Sequence, residues 1–357
     1  MNVYVLDKSF NIIDLVDDYE SCIWNTYYFA VGDFELYLPA TPKNVELLKI
    51  GRYLVRDKDI IGDDLHNVMI IRALNIKTDV EQGNYLTVTG KCLKSMLQRR
   101  IVWSQTILSG KVESCLRLLI NDNAINPVNP DRKITQLALG KLKNFTETMR
   151  KQITGTNLGD AIIDICTTYG IGWEVYIDST NHMVVDFYKG LDRSDNQNEN
   201  TRVTFSTDYD SLLTSDYKFS VENYKNVALV AGEGEGVARK TAIVGTASDL
   251  ERYEIYVDSR DSSTNEGEIT ETEYMEQLKE AGMDELETLK YTESFEGEIE
   301  PYGNFIYGTD YHLGDIVNVK NEYGITATPR IIGVIESVSD EGISTIPTFS
   351  AWKGDEA

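Results

Sequence analysis

Asn223-Tyr224-Lys225-Asn226-Val227-Ala228-Leu229-Val230-Ala231-Gly232-Glu233-Gly234-Glu235-Gly236-Val237-Ala238-Arg239-Lys240 sets an apolar run against a loop of alternating glycine and glutamate. The element after the loop decides between two kinds of protein. A strand, a glycine-rich turn and a helix would make a dinucleotide site, which needs Gly-x-Gly-x-x-Gly with free backbone N–H groups facing the phosphate. Counted from Gly232, the third glycine's place is taken by Val237, and Glu233 and Glu235 would put carboxylates beside any bound anion. Beyond the loop, Ala242-Ile243-Val244 is strand-like. The segment is therefore expected to be a strand, a mobile acidic loop and a second strand.

The composition points the same way. A chain of 357 residues is long enough for two or three domains, and 21 Tyr against 10 Phe favours half-buried sheet surface over tight helical core. A formal charge of −24 argues against nonspecific attraction to nucleic acid or an anionic membrane, because phosphates would be repelled. Cys22, Cys92, Cys115 and Cys166 are far apart in sequence and form no Cys-x-x-Cys pair, so they read as core thiols. The N-terminus carries no basic region followed by a long apolar stretch, and no run of about 18 apolar residues occurs. No membrane insertion and a cytoplasmic origin are expected.

The first hundred residues alternate like strands, as in Gly32-Asp33-Phe34-Glu35-Leu36 and Tyr85 to Val88. One short helix interrupts them, with Thr41 as cap and Pro42 at the first helical position. Another is expected after Gly90, through Leu93, Met96 and Leu97. From about Ser109 the period changes, and Val112, Cys115, Leu116 and Leu119 mark a helix face. Asn157 can cap a further helix ending at Gly170, followed by strands Gly172 to Ile177 and Met183 to Phe187. After the polar loop 192–200, strand signals resume at Val203 and continue to about Val257. Residues 258–300 hold 15 Asp or Glu against three Lys or Arg, half of the chain's excess. Tyr274, Met275, Leu278, Ala281 and Leu286 give this acidic insertion one or two short helices. Strands are expected again at 305–307, 316–319, 330–338 and 345–349.

No catalytic or cofactor constellation emerges. His66, His182 and His312 fall in three different parts of the chain, and none has a second His or Cys at ligand spacing. Asp57-Lys58-Asp59-Ile60-Ile61-Gly62 begins like a calcium loop, but Ile61 occupies a ligand position and Val68 stands where the bidentate glutamate belongs. It reads as a hairpin turn. Ser215-Asp216-Tyr217-Lys218 has Ser-x-x-Lys spacing in a strand-like context and lacks the accompanying motifs. No metal, no cofactor and no catalytic residue are expected.

Several segments in order do carry a resemblance: Trp24 with Gly32 to Leu36; Tyr85 to Gly90 with Leu97-Gln98-Arg99-Arg100; Asp192-Arg193-Ser194 with Gln197 and Asn200; Val203 to Ser206; Asn226 to Arg239; and Asp310 to Val317. Together they resemble the siphophage-type tail hub family of tailed phages and phage-tail-like particles. The resemblance implies an α+β, β-rich multidomain chain with two tail-tube-like β-barrels. The first would span 1–108 and the second 201–257 with 301–357; an α/β unit at 109–200 and the acidic helical insertion 258–300 complete the chain.

By the same resemblance the protein would be a non-enzymatic baseplate hub, a homotrimer whose six barrels match a sixfold tail tube to a threefold spike or tip. Its partners would be the tail-tube protein, the spike or tip protein, a baseplate wedge or distal tail protein, and the tape-measure protein. It would reside in the virion tail, assembled in the bacterial host cytoplasm. Gly232, Glu233, Gly234, Glu235 and Gly236 are candidates for a channel-lining or interface loop that repels anions. Tyr274, Met275 and Leu278 are candidate anchors for a neighbouring tail component. The alternatives from other classes are a receptor- or carbohydrate-binding tail-tip module and a cell-wall hydrolase.

Overall fold

The computed structural model describes residues 1–80, 83–209, 211–262, 269–300 and 303–350. Eleven strands hydrogen-bond into one sheet, in the order Asp216–Ser220, Thr292–Glu296, Gly342–Phe349, Ile331–Ser339, Ser21–Tyr27, Asp33–Pro39, Gly83–Cys92, Met69–Asp79, Tyr53–Arg56, Val3–Leu6, Ile12–Val16. Both ends of the chain thus meet in mid-sheet, where Ile331–Ser339 lies antiparallel to Ser21–Tyr27 with Glu336 opposite Trp24. The sheet is β-rich architecture as expected. Among the described residues its edge strands do not pair with each other, so it is open rather than closed into a barrel.

Period-two alternation sets the faces. Cys22, Trp24, Phe34, Leu36 and Leu38 point to one buried side, where they pack with Val3, Val5, Leu86 and Val88. Gly90 stands between Phe34 on one neighbouring strand and Ile71 on the other. A Cβ there would lie 1.9 Å from the Ile70 carbonyl oxygen and 2.7 Å from the Phe34 ring, so only glycine fits. Helix α1 (Pro42–Leu47) is capped by Thr41, whose hydroxyl accepts the Asn44 N–H.

The opposite side of the first strands is buried too. Leu6, Val55, Ile70, Leu93 and Leu97 share one core with α2 (Val112–Ile120), α3 (Leu158–Thr168) and the hairpin Gly172–Ile177 and Met183–Tyr188. Asn157 caps α3 through the Gly159 and Asp160 N–H groups. The strand Thr106–Lys111 is completed by Thr148–Ile153.

Two expectations along the C-terminal half come out differently. Residues 305–307 form no strand beyond a single bridge from Tyr307 to Tyr311, and lead into a turn at 308–310: the Asp310 carboxylate accepts the Ile306 N–H at 2.8 Å, and Gly308 has φ +82°. The acidic stretch supplies one long helix, α4 (Glu271–Thr288), and then a strand of the large sheet, Thr292–Glu296. Strands Val227–Ala231, Thr241–Val244 and Glu254–Asp258 pair only with one another, among the described residues, and not with the second half of the large sheet. Their apolar face, Ala228, Val230 and Ala242, needs a cover, and α4 provides it with Tyr274 and Leu278.

Candidate functional site

The Gly-Glu-Gly-Glu-Gly loop connects two antiparallel strands, with Ala231 opposite Thr241. It is held down rather than mobile. Arg239 donates to the carbonyls of Gly232 and Ala231, both at 2.9 Å, and to Asp258 at 2.5 Å. The Tyr274 hydroxyl accepts the Glu233 N–H at 2.7 Å, and a Cβ on Gly232 would come within 2.1 Å of that hydroxyl oxygen. Gly232 is therefore glycine because α4 presses on it. Gly234 and Gly236 take φ +98° and +56° to turn the chain. The Glu233 carboxylate pairs with Lys240 at 2.9 Å, whereas Glu235 is exposed.

The candidate anchors are placed inside the molecule. Tyr274 and Leu278 are fully buried against their own sheet, and Met275 packs at the edge of the same core. As they stand, Tyr274 and Leu278 are not presented to a neighbour, because the bare sheet face of the same chain claims them. What α4 contacts on its far side is the middle unit. Arg150 pairs with Glu273 at 3.0 Å and Glu276 at 3.8 Å, and its N–H donates to the Glu280 carboxylate at 3.0 Å. Burial pushes the Glu280 and Asp284 carboxyls up.

Thr270 and Glu273 close a capping box at the start of α4: the Thr270 N–H donates to the Glu273 carboxylate at 3.0 Å and the Glu273 N–H to the Thr270 hydroxyl at 3.3 Å. The Thr270 N–H and hydroxyl, which both donate to it, hold the Glu273 carboxyl down at about 2 together with the Arg150 guanidinium. Its folded value lies below the ordinary 4.5, so its contribution is complete above 4.5 and is lost as pH falls toward 2. Thr270→Ala is expected to cost about 1 kcal/mol. Hydrogen exchange over 271–288 should show the first turn opening before the rest.

The acidic helix meets a basic partner in its own chain, a feature that the overall charge conceals. Residues 91–151 hold twelve Lys or Arg against four Asp or Glu, a balance of +8, while 201–357 hold twelve against 32, a balance of −20. Charge counted in windows along the sequence would have found it. An open groove of about 870 Å³ adjoins this basic stretch on the large sheet, lined by Asn25, Asp33, Glu35, Arg72, Lys91 and Arg99 among others. Arg72 donates to the Ser95 hydroxyl at 3.1 Å, and burial together with the Arg99 charge lowers its pKa.

The three histidines stay apart. His66 meets Glu174 at 3.0 Å, His182 meets Thr180 at 2.9 Å, and His312 meets the Gly308 carbonyl at 3.1 Å. No group of three or more His, Cys, Asp or Glu among the described residues is arranged to hold a metal ion. Burial raises the Cys22 thiol to about 12 and also raises Cys92, Cys115 and Cys166. No helix among the described residues is long and apolar enough to cross a membrane.

Sequence reasoning missed two buried cations, Arg56 and Lys94. Lys94 donates to the carbonyls of Tyr27, Tyr28 and Ala30 at 2.6, 3.3 and 3.1 Å and lies 5.0 Å over the Trp173 ring. It ties the loop after Ser21–Tyr27 to the middle unit, and burial pulls its pKa down to about 8. Between about 8 and the ordinary 10.5 the unfolded chain holds more protons at this site, so stability rises with pH there. In Lys94→Met that slope should vanish. Denaturant unfolding of both proteins at low and high ends of this window measures it: the wild type should gain on the variant as pH rises.

This fold, an open β sheet joining both chain ends and packed on an α/β unit, is similar to that of solved phage tail proteins. The structure superposes on the tail protein from Neisseria meningitidis MC58 with TM-score 0.60 at 15% identity, covering 98% of this chain and 96% of that one. It superposes on the 43 kDa tail protein of prophage MuSo2 from Shewanella oneidensis with TM-score 0.59 at 11% identity, covering 98% of each. For prophage tail protein gp18 from Listeria monocytogenes EGD-e the TM-score is 0.50 at 13% identity, covering 98% of this chain and 94% of that one. At these identities the likeness is one of fold. The chain belongs to the family of the Siphovirus ReqiPepy6 Gp37-like protein, whose family model matches residues 2–349. No curated protein matches it.

Proposed function

We propose that this chain is a non-enzymatic structural protein of a phage tail or tail-like particle, and within it the hub at the distal end. Three copies form a ring that joins the sixfold tail tube to a threefold spike or tip and lines the delivery channel. The observation that carries this reading is the eleven-stranded sheet, drawn from residues 3–92 at one end of the chain and 216–349 at the other. Each half has its own core, so each copy offers the ring two β units side by side. They would act as the two tube-like units, with the α/β unit between them and α4 bracing the lobe 227–258. The expected neighbours are the tail-tube protein, the spike or tip protein, a wedge or distal tail protein, and the tape-measure protein.

Imaging intact particles tests this. A threefold ring of this chain at the tube's end supports the hub; a position at the tip of a fibre would favour receptor or carbohydrate binding instead. The loop Gly232 to Gly236 has its own test. If Glu233→Gln with Glu235→Gln leaves assembly and delivery unchanged, the loop does not line the channel.

A further inference from the structure

The basic stretch spends only part of its charge on α4. At its far end Trp103 is 65% exposed with the Arg132 guanidinium 4.9 Å over its ring, and Ile101, two residues before Trp103, and Val128, four residues before Arg132, are exposed at 40% and 101%. Arg132 is fixed in place: it donates to the Ile101 carbonyl at 2.6 Å, while Arg100 donates to the Arg132 carbonyl at 2.7 Å. Among the described residues neither Arg99, Arg100 nor Arg132 forms an ion pair with a carboxylate, in a chain with 58 of them. Burial and the neighbouring Arg100 charge lower the Arg132 pKa, the mark of cations crowded without a counter-charge.

An exposed tryptophan stacked under a fixed arginine, rimmed by apolar and cationic groups, has the composition of an interface centre. We infer that the patch of Trp103, Arg132, Ile101, Val128, Arg99 and Arg100 docks the acidic C-terminal half of a second copy of this chain. Charge complementarity selects that occupant, because the three arginines of the patch have no carboxylate partner among the described residues while residues 201–357 of the same sequence carry a balance of −20. The contact is head-to-tail: patch and acidic surface are different parts of the chain, so each copy offers one to each neighbour and repetition closes a ring. This inference rests on the ring reading above and adds which surface closes it.

The test places the photocrosslinking residue p-benzoylphenylalanine at Val128 in particles assembled in the host, with the same particles imaged. A crosslinked product of twice the chain mass, with the partner peptide mapped within 201–357, is the expected result. Trp103→Ala in the same background should lower its yield by about tenfold, the loss of one hot-spot residue. Circular dichroism of the purified variant checks that it folds. A crosslink only to another protein, or none, overturns the inference even when imaging shows the threefold ring. Absence of the ring overturns the hub reading itself, and the inference falls with it.

Discussion

Arg56→Ala is expected to destabilise the protein by about 3–5 kcal/mol, the cost of breaking a buried ion network by removing one partner. Arg56 is fully buried and lies where the two halves of the sheet join. Its Nε meets Asp59 at 2.5 Å, its Nη1 meets Glu336 of the C-terminal half at 2.8 Å, and its guanidinium lies 4.8 Å over Trp24. Burial alone would lower the Arg56 pKa, but Asp59 and Glu336 outweigh it and raise it. The reverse holds at Glu336, where burial pushes up and Arg56 and Lys58 pull the carboxyl below its usual 4.5. Its stabilisation is thus present above 4.5 and lost as pH falls through the lowered folded value.

The alanine variant leaves Asp59 without its guanidinium and Glu336 with Lys58 alone, so the loss should be largest near neutral pH and shrink in acid as Glu336 protonates. Denaturant unfolding at about pH 7 and about pH 4 reads both effects. A loss below about 1 kcal/mol at neutral pH would show that water reaches the site and that the network behaves like a surface pair.

Local features of this fold were legible in the sequence because local chemistry sets them. Thr41 before Pro42, Asn157 before Leu158 and the face Val112, Cys115, Leu116, Leu119 each specify a helix without reference to distant residues. The hairpin around Gly232 was equally plain from the missing third glycine. What the sequence hid was pairing over long separations. Nothing local says that Glu336 will lie opposite Trp24 or that Arg56 will bridge to it across 280 residues.

The same limit explains Tyr274 and Leu278. Helical periodicity correctly marked one apolar face of α4, but periodicity does not say what covers that face. Here the cover is the small sheet Val227–Asp258, itself amphipathic and in need of a partner. The resemblance to tail hubs rested on the order of weak motifs, several of which lie outside the large sheet.

Tyr28→Ala should destabilise by a further large amount, about 3–5 kcal/mol, as for other buried aromatics truncated to alanine. Tyr28 comes directly after the strand Ser21–Tyr27 and is fully buried where three parts of the chain converge. A Cβ at Gly172, in the middle unit, would come within 2.0 Å of its ring, and one at Gly314, in the C-terminal half, within 2.3 Å. The two glycines are therefore the walls of a slot shaped for this ring. The hydroxyl lies 3.1 Å from the Tyr188 carbonyl and 3.3 Å from the Gly170 carbonyl, and it accepts the Gly190 N–H at 3.3 Å.

Two further variants separate packing from hydrogen bonding. Tyr28→Phe keeps the ring and should cost about 1–3 kcal/mol, the penalty of leaving buried polar groups unpaired. Gly314→Ala attacks the slot from the other side, because it adds the clash to a backbone at φ +92°. If Tyr28 acts as the wedge between units, Tyr28→Ala should also expose the loop 189–203 to protease before global unfolding, whereas Tyr28→Phe should not. Equal protection in both variants would mean that Lys94 and Arg56 hold the units together without it.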